Sequence, residues 1–191
     1  TPDSYKIPDV PEPAKPSDPV NPGKASNDGG CYPPGGGCFT AGTLIRTKSG
    51  YKAIEEIEAG DYVYAKNPDT GEEGYKLVAR TYELDVTEIV HVYIGDVCID
   101  ATPNHPLWVE GYGFIPADEL RVGDVVETAS GEKKQITSVE TECYDEPVTV
   151  YNFEVMDWHT YYVSELEVLV HNSNPCANAE SGSSSSYPKM D

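Results

Sequence analysis

Positive charge is scarce in this chain: 13 Lys+Arg stand against 33 Asp+Glu, a formal charge of −20 over 191 residues. That balance repels phosphate backbones and anionic headgroups. Nucleic acid and membrane surfaces are therefore excluded as expected partners, and solubility is the plain consequence. Long apolar runs are also missing; none approaches the roughly 20 residues that a membrane-spanning helix needs. The five cysteines are odd in number and lack any CxxC spacing, so neither a zinc ribbon nor a paired disulfide framework follows. With no initiator methionine and no signal-peptide pattern, the chain reads as an excerpt of a longer protein.

What is present divides into three stretches. Residues 1–37 hold most of the prolines and end in a glycine cluster, with little apolar material to bury, so a disordered or polyproline-like segment is expected. Residues 173–191, "SNPCANAESGSSSSYPKMD", read as flexible linker. Between them, residues 38–172 are dense in Val, Ile, Tyr and Thr and long enough to bury one sizeable core. Period-two alternation in "LVARTYEL", "IVHVYIGDVCI", "VTVYNFEV", "HTYYV" and "VLV" predicts strands, with punctuation such as "NPDTGEEG" between them. Only "AIEEI" and "PADEL" suggest helix, about one turn each.

Those two stretches open an internal echo. "AIEEIEAGDYVYA" aligns with "PADELRVGDVVET", placing Glu56, Gly60, Asp61 and Val63 on Glu119, Gly123, Asp124 and Val126. A fainter match follows between "HPLWV" from His105 and "HTYYV" from His159. The order favours two intertwined copies of one β-unit in a single all-β domain, with the two histidines at related positions around a shared centre.

Several residues offer chemistry. Cys38 follows three glycines and opens the core segment. It is either a small buried hydrophobe or a nucleophile placed to attack the sterically open peptide bond before it, at Gly37. His105 sits between Pro103 and Pro106 in "DATPNHPLWV". It is either a structural loop residue or a general acid with a pKa near neutrality that protonates a departing amide nitrogen. Asn172 ends "LEVLVHN", and its side-chain nitrogen can close a succinimide on its own carbonyl if geometry and oxyanion donors are supplied, with His159 and His171 as candidate helpers.

Taken in order, Cys38, Thr102-x-x-His105, His159 and Val-His171-Asn172 resemble the Hint superfamily: inteins, bacterial intein-like domains and the Hedgehog autoprocessing domain. The resemblance spans residues 38–172 and implies a compact, horseshoe-like all-β fold of two pseudo-twofold related subdomains. It implies single-turnover splicing or self-cleavage at Gly37/Cys38 and Asn172/Ser173, without a cofactor or metal, by a monomer within a larger precursor acting on its own flanks. Cys38 matches the amino-terminal nucleophile, Thr102 and His105 the motif that activates the upstream amide, His159 the penultimate motif, and His171 with Asn172 the closing pair. Ser173 would take the acyl group, although an unactivated hydroxyl is a far poorer nucleophile than a thiolate.

Asn152 and Asp157 are supporting residues of the penultimate motif. Asn152 stands where many inteins carry an aspartate, and an amide cannot carry charge, which weakens the expectation of tight coupling between the steps. Domains of this kind also resemble those preceding the toxin domain of secreted bacterial polymorphic toxins, where cleavage alone would release the downstream piece. The rival readings are an inert β-rich spacer, a Hedgehog-type transfer of the thioester to another nucleophile, and a metal site from Cys38, His105 and His159. Cys31, seven residues upstream of Cys38, suggests a disulfide that holds the reaction off under oxidising conditions.

Overall fold

The computed structural model describes residues 37–172; the two flanking stretches, the Cys31–Cys38 disulfide and Ser173 fall outside the described residues. The described chain is almost entirely β. In chain order the strands are β1 (Phe39–Thr40), β2 (Leu44–Thr47), β3 (Gly50–Ala53), β4 (Tyr62–Lys66), β5 (Glu73–Ile94), β6 (Val97–Ala101) and β7 (Pro106–Val109). They continue as β8 (Gly113–Pro116), β9 (Val125–Glu127), β10 (Lys133–Gln135), β11 (Ser138–Val155), β12 (Thr160–Val163) and β13 (Val168–His171). The two expected helical turns form as single 3₁₀ turns, Ile54–Glu56 and Ala117–Glu119.

Two long strands carry the architecture. β5 and β11 pair antiparallel from Ser138↔Tyr93 to Val155↔Val78, with the register shifting between Cys143 and Val148 and again at Glu154/Val155. Both read as alternating sequences because one face is covered and the other wet. β12 and β13 differ: all of Thr160–Val163 is buried, and the apolar run "VLV" of β13 likewise. β12 lies beside β2 and β13 beside β7, and with both of their faces covered neither strand carries a wet polar face. The core gathers Phe39, Ile45, Val63, Leu107, Phe153 and Tyr161, all fully buried. Each such side chain contributes about 1.5–3 kcal/mol through burial.

The main internal echo is structural. Gly60 and Gly123 both have positive φ, 101° and 95°, where a β-carbon would be strained. Their N–H groups donate to the Val78 and Ile136 carbonyls. Asp61 and Asp124 each accept a backbone N–H three residues upstream, from Glu58 and Arg121. The same turn is thus built twice with the same hydrogen bonds. The fainter echo is corrected. The strand order β7-β13-β12-β2 pairs Ile45 with Val163 and Leu107 with Val170, so the repeat mate of β7 is β2. The Ala117 N–H donates to the His105 carbonyl as Ile54 does to Thr43, so His105 corresponds to Thr43 and not to His159. Five-residue apolar strands look alike because burial selects the same few residues.

Candidate active site

The ends of the described chain meet over β11. Gly37 and Cys38 run into β1, which is held between β6 and β11 by Phe39↔Ala101 and Phe39↔Tyr151. Asn172 leaves β13 with its N–H donating to the His159 carbonyl at 2.6 Å. Between the two ends lies Asn152. It is a buried amide in the strand run "VTVYNFEV", and it shares a face of β11 with Val150 and Glu154. Its Nδ2 donates to the Gly37 carbonyl oxygen at 2.5 Å and to Asn172 Oδ1 at 3.3 Å. Its Oδ1 accepts from its neighbour Phe153 N–H at 2.7 Å and from the Tyr161 hydroxyl at 2.8 Å. Every polar atom of this buried side chain is therefore engaged, which fixes its orientation.

The upstream amide is gripped from the other side as well. The Cys38 N–H donates to Thr102 Oγ1 at 2.8 Å, and the Thr102 N–H returns a bond to the Cys38 carbonyl at 2.9 Å. Thr102 donates its own hydroxyl to Asn104 Oδ1, which leaves the oxygen lone pairs free to accept. The Thr102–His105 loop is closed by the His105 N–H on the Thr102 carbonyl and tied down by Asp118 N–H on the Pro103 carbonyl. This loop presses His105 onto Gly37 so closely that a β-carbon built at position 37 would lie 2.1 Å from His105 Cβ. Only glycine fits before Cys38.

Cys38 is 1 % exposed, and burial pushes its thiol up to about 12. The residue nevertheless lines a cleft of about 470 Å³ with Leu84, Val86, Thr102, Asn104 and Pro147, edged by Asp85 and Glu88. His105 is completely buried against Phe39, with ring centroids 4.1 Å apart, and neither ring nitrogen has a hydrogen-bond partner among the described residues. Burial brings it down to about 3, and the neighbouring Gly37 backbone offsets part of that fall. The expectation of a neutral-range general acid is therefore corrected: the resting imidazole is uncharged.

His171 is half-buried with its ring edge-on to Phe114, and burial, then the nearby His159, bring it down to about 4. His159 has a φ of 51° in the turn between β11 and β12, and its Nδ1 is buried without a partner among the described residues. Asn172 is 2 % exposed and donates Nδ2 to the Phe153 carbonyl. Asp157 stands apart. Its exposed carboxylate pairs with Lys76 at 3.1 Å and does not reach the cluster. Sequence reasoning passed over Tyr161, which is fully buried and supplies the hydroxyl that orients Asn152. A tyrosine inside a wholly buried four-residue strand was the available signal, since a buried hydroxyl needs a partner.

These pKa values make stability depend on pH. The unfolded histidine titrates near 6.5, whereas folded His105 and His171 stay neutral down to about 3 and about 4. Below 6.5 the unfolded chain takes up protons that the native state refuses, so stability falls with pH by on the order of 1.4 kcal/mol per unit for a fully buried ring and less for His171. His91 acts oppositely: burial opposes its charge, but Asp100 and Glu142 raise its pKa, so its smaller contribution is lost as pH rises above 6.5. The urea-unfolding midpoint of the Cys38→Ala, Asn172→Ala chain should therefore drop between about pH 7 and pH 5.5, before most carboxylates titrate. A flat midpoint would show that the two rings accept protons in the folded state.

A search of curated proteins finds no match. Among solved structures, a bacterial intein-like domain from Clostridium thermocellum is 46 % identical with a TM-score of 0.68, over 71 % of this chain and 98 % of that one. The gp41-1 intein, 21 % identical with a TM-score of 0.59 over 72 % of this chain and 99 % of that one, shares the fold. So does a DnaB intein from Synechocystis sp. PCC 6803, at 20 % identity and a TM-score of 0.60 over 72 % and 99 %. The family model described as the pretoxin HINT domain matches residues 44–173, and with the doubled β-unit this places the chain in that family of the Hint superfamily, beside the bacterial intein-like domains and minimal inteins.

Proposed function

We propose that residues 38–172 are a self-processing domain that acts once on its own flanks, at Gly37/Cys38 and Asn172/Ser173. The observation that carries this reading is the Asn152 amide, which touches the carbonyl oxygen of the upstream bond and the side chain of the closing asparagine together. Membership of the intein-related family supports it.

The upstream step needs a donor for the oxygen that becomes negative. Asn152 Nδ2, held by Tyr161 and already 2.5 Å from the Gly37 oxygen, is that donor. Cys38 Sγ forms a bond to the Gly37 carbonyl carbon while the carbon–nitrogen bond breaks, and the thiol proton ends on the departing Cys38 amine. A thiol with a pKa near 12 is protonated at rest, so it needs a nearby acceptor. The neutral His105 ring against Gly37 is the candidate relay, passing that proton to the amine in step with carbon–nitrogen cleavage and without standing as a free imidazolium. Thr102 Oγ1, accepting the Cys38 N–H, fixes the nitrogen through the transfer.

Downstream, Asn172 Nδ2 attacks its own carbonyl carbon, the bond to Ser173 breaks, and the proton lost from Nδ2 goes to the Ser173 amine. The Phe153 carbonyl and Asn152 hold the two ends of the attacking amide, and His159 holds its backbone N–H. His159 and His171 are the candidate proton carriers for this departure. Where Ser173 captures the acyl group first, the flanks join. Because Cys38 lines a solvent-accessible cleft, water competes for the thioester, and release of both flanks is the second outcome.

The test is the full chain fused between two carrier proteins, followed by intact mass over days. Fragments ending at Gly37 and beginning at Ser173, or the ligated carriers, are the expected products. A folded precursor that stays whole over days would overturn the proposal and leave the inert spacer as the reading.

A further inference from the structure

Away from the centre just described, the outer face of the β5-β6-β11 sheet gathers a different set of groups. The hairpin turn at Gly95-Asp96 sets Ile94 opposite Val97, which puts Tyr93 opposite Cys98 and His91 opposite Asp100. Val90, Val92, Ile99 and Ala101 face the core, so His91, Cys98 and Asp100 share the solvent face. Asp100 Oδ1 lies 2.7 Å from His91 Nδ1 and 3.1 Å from Cys98 Sγ. One donor atom from each of the three residues lies within 4.8 Å of the others.

From this juxtaposition we infer a divalent transition-metal site, of the zinc class, held by His91 Nδ1, Cys98 Sγ and Asp100 Oδ1. Bonds of about 2.0–2.3 Å from sulfur, nitrogen and oxygen to a tetrahedral ion separate the ligand atoms by roughly 3.3–3.7 Å. The present hydrogen-bonded contacts are a few tenths of an ångström shorter, so small side-chain rotations admit the ion in place of the bridging protons. On binding, the Cys98 thiol proton leaves to solvent and the sulfur binds as thiolate. Thiolate with imidazole and a single carboxylate suits zinc and not calcium or magnesium, which require oxygen ligands.

The surroundings match what a metal-bound histidine uses. The other ring nitrogen, Nε2, lies 3.1 Å from Glu142 Oε2, and the same carboxylate oxygen accepts from the Tyr144 hydroxyl at 2.7 Å. A carboxylate behind the imidazole fixes its tautomer with Nδ1 free for the ion and raises its basicity. Cys98 is exposed, so the fourth position is open to water and the ion exchanges with solvent. None of these residues belongs to the processing centre.

The experiment uses the full chain carrying Cys38→Ala and Asn172→Ala, which stays whole and offers no thiol at Cys38. Titration with Co²⁺ should give a thiolate-to-cobalt charge-transfer band in the near ultraviolet, saturating at a single equivalent, and Zn²⁺ should displace it. Adding Cys98→Ser should remove the band and weaken zinc binding at least about tenfold, and Glu142→Gln should weaken it by a similar factor while keeping the band. Serine at Cys31 and Cys176 should change neither. Absence of a band, a band that survives Cys98→Ser, or a band lost with Cys31 or Cys176 would overturn the assignment.

Discussion

Asn172→Ala is expected to leave the bond after residue 172 uncut, and Cys38→Ala the bond before residue 38, each substitution removing one event and sparing the other. The loss is on the order of a thousandfold or more, because each removes the attacking atom itself and not a helper. The independence follows from separate contacts. Asn172 is held by Phe153, Asn152 and the His159 carbonyl, none of which is Cys38. Cys38 is held by Thr102 and by the Gly37–Asn152 contact, which Asn172→Ala leaves in place. The alanine variant at 172 does cost stability, since the buried Phe153 carbonyl loses its donor, by about 1–3 kcal/mol. In that variant the upstream thioester still forms, and hydroxylamine should convert it to a Gly37 hydroxamate detectable by mass. A hydroxylamine-sensitive bond that persists in Cys38→Ala would show that another nucleophile makes the thioester.

The strands, the two one-turn helices and the doubled turn were legible because each rests on a local rule. Alternation marks a half-covered strand, and a glycine with positive φ marks the repeated turn at Gly60 and Gly123. The order of Cys38, Thr102, His105, His159, His171 and Asn172 was legible as a family pattern. Three things were not legible. The relation between His105 and His159 is one, because strand pairing, a long-range property, decides which strands are repeat mates. The charge state of His105 depends on its complete burial against Phe39 and Gly37, which no neighbouring residue in the sequence announces. The third is the role of Asn152. Its lack of charge mattered to the sequence reading, whereas its two N–H bonds, to Gly37 and to Asn172, exist only once β11 passes beneath both ends.

Substitution at Asn152 should therefore slow both bonds together. Asn152→Ala removes the donor aimed at the Gly37 oxygen and the contact that steadies Asn172, for a loss of about 10²–10³ in rate at the upstream bond and a smaller loss downstream. It also strands the buried Tyr161 hydroxyl, so the near-isosteric Asn152→Asp is the sharper probe. In that variant one carboxyl oxygen still accepts from Phe153 N–H and Tyr161, as Oδ1 does now. The other oxygen faces two acceptors, Gly37 O and Asn172 Oδ1, and can donate, to the nearer Gly37 O, only when it carries a proton. Protonated, it donates and the rate approaches that of the parent chain. Ionised, it sets a negative charge against the oxygen that must become negative, so the rate falls as pH rises through the titration of this carboxyl. The parent amide has no such titration, and its rate should not share that limb. Time courses of both cleavages for the two chains across neutral pH measure the difference. An aspartate variant whose rate follows the parent's at every pH would remove Asn152 from the oxyanion role and leave it as a strut beneath the two ends.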